Sequence, residues 1–196
     1  MKIIGITGGV GAGKSKVLAF IEGKYNCVVY RADEVAHLLE KPGNECYEQL
    51  IELLGSDILN DDKTINKQKM ASIIFSNDIL LEGVNQIIHP QVKQYIIKQI
   101  EIEKQKGKVD YFFIEAALLI EDHYDKIVDE MWYIYTDAAI RERRLAENRH
   151  YSAEKTANIM RGQLSEEEFR KHCQVAISNN GDLEETYKQI INIMGD

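Results

Sequence analysis

Gly8-Gly9-Val10-Gly11-Ala12-Gly13-Lys14-Ser15 decides how this chain is read. The order glycine, four residues, glycine, lysine, serine follows a β-branched run, Lys2 to Thr7, and opens a helical pattern, Lys14 to Ile21. In that strand-loop-helix setting the glycines let successive backbone amides turn inward toward phosphate oxygens, while the helix N-terminus adds partial positive charge. Lys14 is then expected to reach the β and γ phosphates, and the Ser15 hydroxyl to ligate Mg²⁺. The dinucleotide fingerprint G-x-G-x-x-G does not fit: starting at Gly9 it requires glycine where Lys14 stands, and starting at Gly11 it requires glycine at Lys16. A nucleoside triphosphate is favoured over a dinucleotide.

Outward from the loop, apolar runs recur at Cys27 to Tyr30, Tyr111 to Ile114, Met131 to Tyr135 and, more weakly, Gln174 to Ser178. Five strands alternating with helical patterns predict an α/β chain, a three-layer P-loop NTPase fold with a central five-stranded parallel sheet. Residues 34–110 carry helical spacing, such as Tyr47, Leu50, Ile51 and Leu54, and read as a helical insert. Within it, 60–63 is a polar loop, and Pro90 is expected to open or kink a helix because it brings no amide donor. Residues 137–163 read as two helical stretches, the first crowded with Arg141, Arg143, Arg144 and Arg149, and a last amphipathic helix spans 183–194.

Composition narrows the function classes. The 196 residues are 44% hydrophobic and 29% charged with 2 prolines, a globular balance suited to one domain with an inserted part. A net charge of −8 argues against long contacts with nucleic acid but leaves phosphorylated small molecules open, since a few local cations suffice for them. The 3 cysteines, Cys27, Cys46 and Cys173, suit reduced thiols in the cytoplasm. The start reads directly into a strand, so no signal peptide is expected, and no apolar run approaches the roughly 20 residues of a membrane span.

Neither N-K-x-D nor D-x-x-G is present, which sets aside a guanine switch and leaves a small kinase as the leading class. Such an enzyme needs a carboxylate near the acceptor hydroxyl, a carboxylate on the metal side and cations that spread the charge of the transferring phosphoryl group. Asp33, after the second strand, suits the first task, with a helix N-cap as the plainer alternative. Glu115, ending the third strand, suits a Mg²⁺-bound water or a solvated strand end. The arginines of 141–149 suit a lid that excludes water, or a solvated helix face.

Taken together, these motifs resemble the dephospho-CoA kinase family over essentially the whole chain. The segment Thr7 to Ser15, TGGVGAGKS, is similar to that family's TGGIGSGKS, and Arg31-Ala32-Asp33 keeps the last aspartate of its D-A-D. Ile88-His89-Pro90 matches its I-H-P, Ala117-Leu118-Leu119-Ile120-Glu121 its P-L-L-F-E, and Gln163 and Ile177-Ser178-Asn179 its later glutamine and I-x-N. The resemblance implies transfer of the ATP γ-phosphate to the ribose 3′-hydroxyl of dephospho-CoA, the last step of coenzyme A synthesis, with Mg²⁺. It implies catalytic roles for Asp33, as base, and for Lys14, Arg144 and Arg149. It assigns ATP binding to Gly9, Val10, Gly11, Ala12, Gly13, Lys14, Ser15, Lys16 and Asn179, and substrate binding to Asp33, His89 and Leu118. Metal contacts fall to Ser15 and Glu115, CoA-substrate binding to 34–110 and a lid to 137–163.

The chain also departs from that pattern. Arg31 replaces an acidic residue, Lys16 a threonine and Ala117 a proline, and the lid's R-L-x-x-R becomes Arg144-Leu145 with Asn148 or Arg149 in the last place. Another nucleoside monophosphate or metabolite kinase, or a non-catalytic nucleotide-binding regulator, remains open beside this reading. A monomer or small homo-oligomer without nucleic-acid or membrane partners is expected.

Overall fold

The computed structural model describes residues 1–195. Two compact units are present: Met1–Val29 with the chain from Gly107 on, and Tyr30–Lys106.

Strands β1 (Lys2–Thr7), β2 (Cys27–Arg31), β3 (Tyr111–Glu115), β4 (Glu130–Tyr135) and β5 (Val175–Ser178) form one sheet in the order β2-β3-β1-β4-β5. The pairs β1–β3, β1–β4 and β4–β5 run parallel, as the sequence pattern predicts. Because β1 lies between β3 and β4, the chain leaves it to one side and returns on the other, and this reversal at the carboxyl ends of the central strands is where open α/β sheets bind ligands.

Alternation along β1 explains why both of its faces are apolar. Ile4 and Ile6 join Val17, Leu18 and Ile21 of helix α1 (Lys14–Lys24), with Trp132, Ile134, Ile177 and Ile190. Ile190 lies on the C-terminal helix, whose bounds, Leu183–Met194, agree with the periodicity; Tyr187 from the same helix stacks on Phe20 of α1 at 4.0 Å between centroids. The opposite face at Gly5 meets Leu119, Val128 and Met131. There Tyr133 stacks on Phe169 at 4.7 Å between centroids. Removing a buried core side chain such as Leu18 costs about 2–5 kcal/mol through lost transfer energy and the cavity left behind.

The second unit is helical: α2 (Ala32–Leu39), α3 (Glu45–Leu54), α4 (Lys67–Ile74) and α5 (Asp78–Lys106). Its own core gathers Cys46, Tyr47, Leu50, Ile58, Ile65, Met70, Ile74 and Val84. Glu40, buried at the end of α2, pairs with Lys67 at the start of α4. The 60–63 loop is held by Asp62, which accepts from the Thr64 amide at 3.0 Å. Pro90 does not open a helix; it lies inside the continuous α5. An interior proline forfeits one amide bond at a cost of about 3 kcal/mol. Apolar side chains on both sides of it, Ile87 and Ile88 before and Val92, Ile96 and Ile100 after, offset that cost by packing inward.

The remaining helices belong to the first unit: α6 (Ala138–Arg149), α7 (Ala153–Arg161), α8 (Glu166–His172) and α9 (Leu183–Met194). Ser152 and Ser165 cap α7 and α8, each accepting a first-turn amide at 3.2 Å. The sequence pattern did not predict α8, whose seven residues bury only Phe169.

Candidate active site

β1 delivers the glycine-rich loop to the carboxyl edge of the sheet, and α1 begins at Lys14 directly behind it. The N-cap of α1 is Gly13, at φ 92° and ψ 20°, in the left-handed region where a side chain is strained; a Cβ there would also overlap the Asn179 amide. The Gly13 carbonyl accepts the amides of Lys16 at 3.0 Å and Val17 at 3.3 Å. The Lys14 and Ser15 amides precede these, in the first turn whose donors a helix cannot satisfy internally. Donors of that kind, at the positive end of a helix, bind anionic oxygens.

The Lys14 ammonium donates to the Gly8 carbonyl at 2.8 Å and lies 3.5 Å from Glu115 Oε1. The register explains this second contact: Ile6 pairs with Glu115, so the last residue of β3 stands beside the strand that enters the loop. Both side chains are mostly buried, 14% and 18% exposed, so solvent screens their attraction less than that of a surface pair. A lysine folded back along the loop beside a carboxylate can hold anionic phosphates on one side and a hard cation on the other.

α6 lies against the loop's outer turn. The Arg141 guanidinium occupies the space where a Gly9 side chain would stand. Arg141 Nη1 donates to Gln163 Oε1 at 3.4 Å, and the Val10 amide donates to the same oxygen at 3.3 Å. Arg144 turns toward β5: Nη2 donates to the Asn179 carbonyl at 2.9 Å and Nη1 to Thr136 Oγ1 at 3.5 Å. Burial, and after it the adjacent Arg143, pull the Arg144 guanidinium below the usual arginine range. Arg149 is the exposed last residue of α6, and Asn148 donates back to the Arg144 carbonyl at 2.8 Å. Behind the loop, Thr136, Asn179 and Thr186 form a buried polar cluster on the Ala12 carbonyl.

The dephospho-CoA kinase family model matches residues 2–185. The chain belongs to the dephospho-CoA kinase family. A dephospho-CoA kinase of Carboxydothermus hydrogenoformans is 32% identical over 194 residues, covering 99% of this chain and 93% of that protein. One from Streptococcus agalactiae serotype III is 32% identical over 193 residues, covering 98% and 97%. Among solved structures, a Thermus thermophilus protein superposes with a TM-score of 0.81 at 24% identity, covering 98% of this chain and 96% of that one. The dephospho-CoA kinase from Campylobacter jejuni gives 0.72 at 20% identity, covering 99% and 96%. At those identities the structural likenesses speak for the fold.

Against that family's pattern, the loop residues Gly9 to Lys16, with Glu115, Arg144 and Asn179, come together in the first unit. Leu118, 38% exposed, follows β3 in the same unit. Asp33 and His89 belong to the second unit. Asp33 is the exposed second residue of α2, whose N-cap is Arg31, so it does not cap the helix. His89 is half-buried in the middle of α5. Thr136 and Thr186 are the residues that sequence reasoning missed. Thr136 directly follows β4, as Glu115 ends β3, and a polar residue at a central strand's carboxyl end is the signal that could have found it.

The oxygen donors suit Mg²⁺ carried by a nucleotide. The Ser15 hydroxyl is exposed at the loop and Glu115 stands beside Lys14, a sparse hard-oxygen set of the kind Mg²⁺ uses when substrate phosphates and waters complete its shell. No cluster of three or more His, Cys, Asp or Glu side chains able to hold a metal by itself occurs among the described residues.

Proposed function

We propose that the chain transfers the γ-phosphate of ATP to the 3′-hydroxyl of the ribose of dephospho-CoA, yielding CoA and ADP. The observation that carries this reading is the family match over residues 2–185, joined to a phosphate loop whose lysine and carboxylate stand 3.5 Å apart.

The 3′ oxygen forms a new bond to the γ phosphorus, the bond from that phosphorus to the β–γ bridging oxygen breaks, and the hydroxyl proton passes to Asp33. Lys14 and the loop amides from Gly9 to Lys16 hold the phosphates in line and stabilise the charge that spreads over the equatorial oxygens. Ser15 and Glu115 would hold Mg²⁺, which supplies charge neutralisation on the β and γ oxygens when bound. Arg144 and Arg149 supply further positive charge from the 137–163 lid. His89 and Leu118 contribute to the acceptor site, and 34–110 is the part that binds dephospho-CoA. Asn179 supports the nucleotide site from beneath the loop. The cytoplasm is the compartment that fits, and no described helix is long and apolar enough to cross a membrane.

The test is an acceptor profile: ADP release from Mg-ATP with dephospho-CoA, adenosine, AMP or shikimate, in the wild type and Asp33→Asn. Release driven by dephospho-CoA, with kcat lowered about 10²–10⁴-fold in Asp33→Asn, supports both the reaction and the base. Equal stimulation by the other acceptors, or an unchanged Asp33→Asn enzyme, refutes them.

A further inference from the structure

The Ala12 carbonyl, at the back of the loop, is held by two side chains that approach from different strands. Asn179 Nδ2 donates to it at 2.7 Å and Thr136 Oγ1 at 3.1 Å. Ala12 and Asn179 are 1% exposed and Thr136 is 4% exposed, so water does not compete for these bonds. The chemistry fixes the orientation of the Asn179 amide: a carbonyl only accepts, so the group facing it is the NH₂. Its Oδ1 then faces Thr186 Oγ1 at 3.0 Å, a hydroxyl that also has the Ser178 carbonyl within reach at 3.2 Å. Both ends of the Asn179 side chain are therefore engaged inside the protein, and it serves the nucleotide site through Ala12.

Thr136 has one hydroxyl proton and two carbonyls within reach, Ala12 at 3.1 Å and Asn179 at 3.3 Å, of which Ala12 is the nearer; its oxygen takes a bond from Arg144 Nη1 at 3.5 Å. Arg144 is bound a second time through the Asn179 carbonyl at 2.9 Å. The two holding residues thus also anchor the α6 arginine.

A trans peptide is planar, and its C=O and N–H point in opposite directions. Two donors holding the Ala12 carbonyl on one side therefore turn the Gly13 amide to the other, next in the chain to the Lys14 and Ser15 amides of the first helical turn. We infer that Thr136 and Asn179 are positioning residues for phosphate binding. They lock the Ala12–Gly13 peptide plane so that the Gly13 amide is preset toward a nucleotide phosphate, and they tie that lock to Arg144. The inference rests on the reading of the loop as a nucleotide site and names side chains that act on it from behind.

Binding of ADP with Mg²⁺, measured by calorimetry, separates this role from mere packing, with the ¹⁵N-labelled Gly13 amide resonance followed in the same titration. Thr136→Val, which keeps the shape and removes the hydroxyl, is expected to weaken ADP binding about three- to tenfold, the effect of one net hydrogen bond. It should also diminish the Gly13 shift. Thr136→Ser should restore both, and Asn179→Asp, with no donor for the Ala12 carbonyl, should weaken binding at least as much as Thr136→Val. Wild-type affinity and an unchanged Gly13 shift in Thr136→Val and Asn179→Asp would overturn the inference, as would a serine variant no better than valine. A wild type that binds no ADP would remove the nucleotide reading and this inference with it. Wild-type ADP binding without phosphorylation of dephospho-CoA would count against the acceptor alone.

Discussion

Gly13→Ala tests whether the loop's shape is stored in its backbone. At φ 92° the new Cβ sits in the left-handed region, which costs an L-residue about 1–2 kcal/mol. The same Cβ would overlap Asn179 Nδ2, so the 2.7 Å bond to Ala12 has to lengthen or break. A buried donor or acceptor deprived of its partner costs about 1–3 kcal/mol. The sum is about 2–5 kcal/mol, a large share of the ~5–15 kcal/mol by which domains are stable. Taking about 3 kcal/mol and about 2–4 °C per kcal/mol for a chain of this size, Tm should fall by about 6–12 °C. The single tryptophan, Trp132, is fully buried in the same unit, edge-on to Phe113 at 5.9 Å between centroids, so its fluorescence reports unfolding there. Gly23→Ala is the matched control: Gly23 lies in α1 with open space around a Cβ and no positive φ. In a helix that change should stabilise by about 0.5–1 kcal/mol. Gly13→Ala within about 0.5 kcal/mol of the wild type, the range of inconsequential surface changes, would refute the reasoning. Equal losses in the two variants would refute it too.

Two further predictions concern groups away from the loop. Burial pushes the Cys173 thiol up from its ordinary 9.0 to about 12, so its thiolate is scarce at pH 8.5 and alkylation by iodoacetamide should be at least about tenfold slower than that of a free thiol. Because the folded chain favours the neutral thiol, its contribution to stability is full below pH 9.0 and lost as pH rises toward about 12. The urea midpoint should therefore drop above pH 9 and drop less in Cys173→Ser; identical profiles would contradict this. In the second unit, Glu40→Ala removes the carboxylate partner of Lys67, whose side chain is 46% exposed and can be rehydrated, and should cost about 0.5–1 kcal/mol by denaturant titration. Loss of less than half a kilocalorie would show that the pair contributes nothing.

The strands were legible because they are buried runs whose local composition is enough to mark them: β1 and α9 fall on the residues the pattern predicts, and each of the other strands differs by one residue at one end. The phosphate loop was legible for the same reason, being a contiguous motif between two such elements. α8 was not, since its acidic first turn and basic last turn carry no apolar period beyond Phe169. Pro90 does not mark a helix start as one half of its local rule allows, because apolar packing on both sides carries α5 through it. The cluster behind Ala12 was illegible for a deeper reason. Its bonds join residues 124 and 167 positions apart, and only the strand order that sets β1 beside β4, and β4 beside β5, brings Thr136 and Asn179 to one carbonyl. Sequence alone could name Asn179, but not the direction in which its amide works.

The most direct test of the central claim is the identity of the phosphorylated product. The purified chain is incubated with Mg-ATP and dephospho-CoA, and the product is resolved by chromatography and ³¹P NMR. One new phosphomonoester on the ribose 3′ oxygen is expected for each ADP formed. ADP formed without a phosphorylated acceptor, or phosphate at any other position, would contradict it.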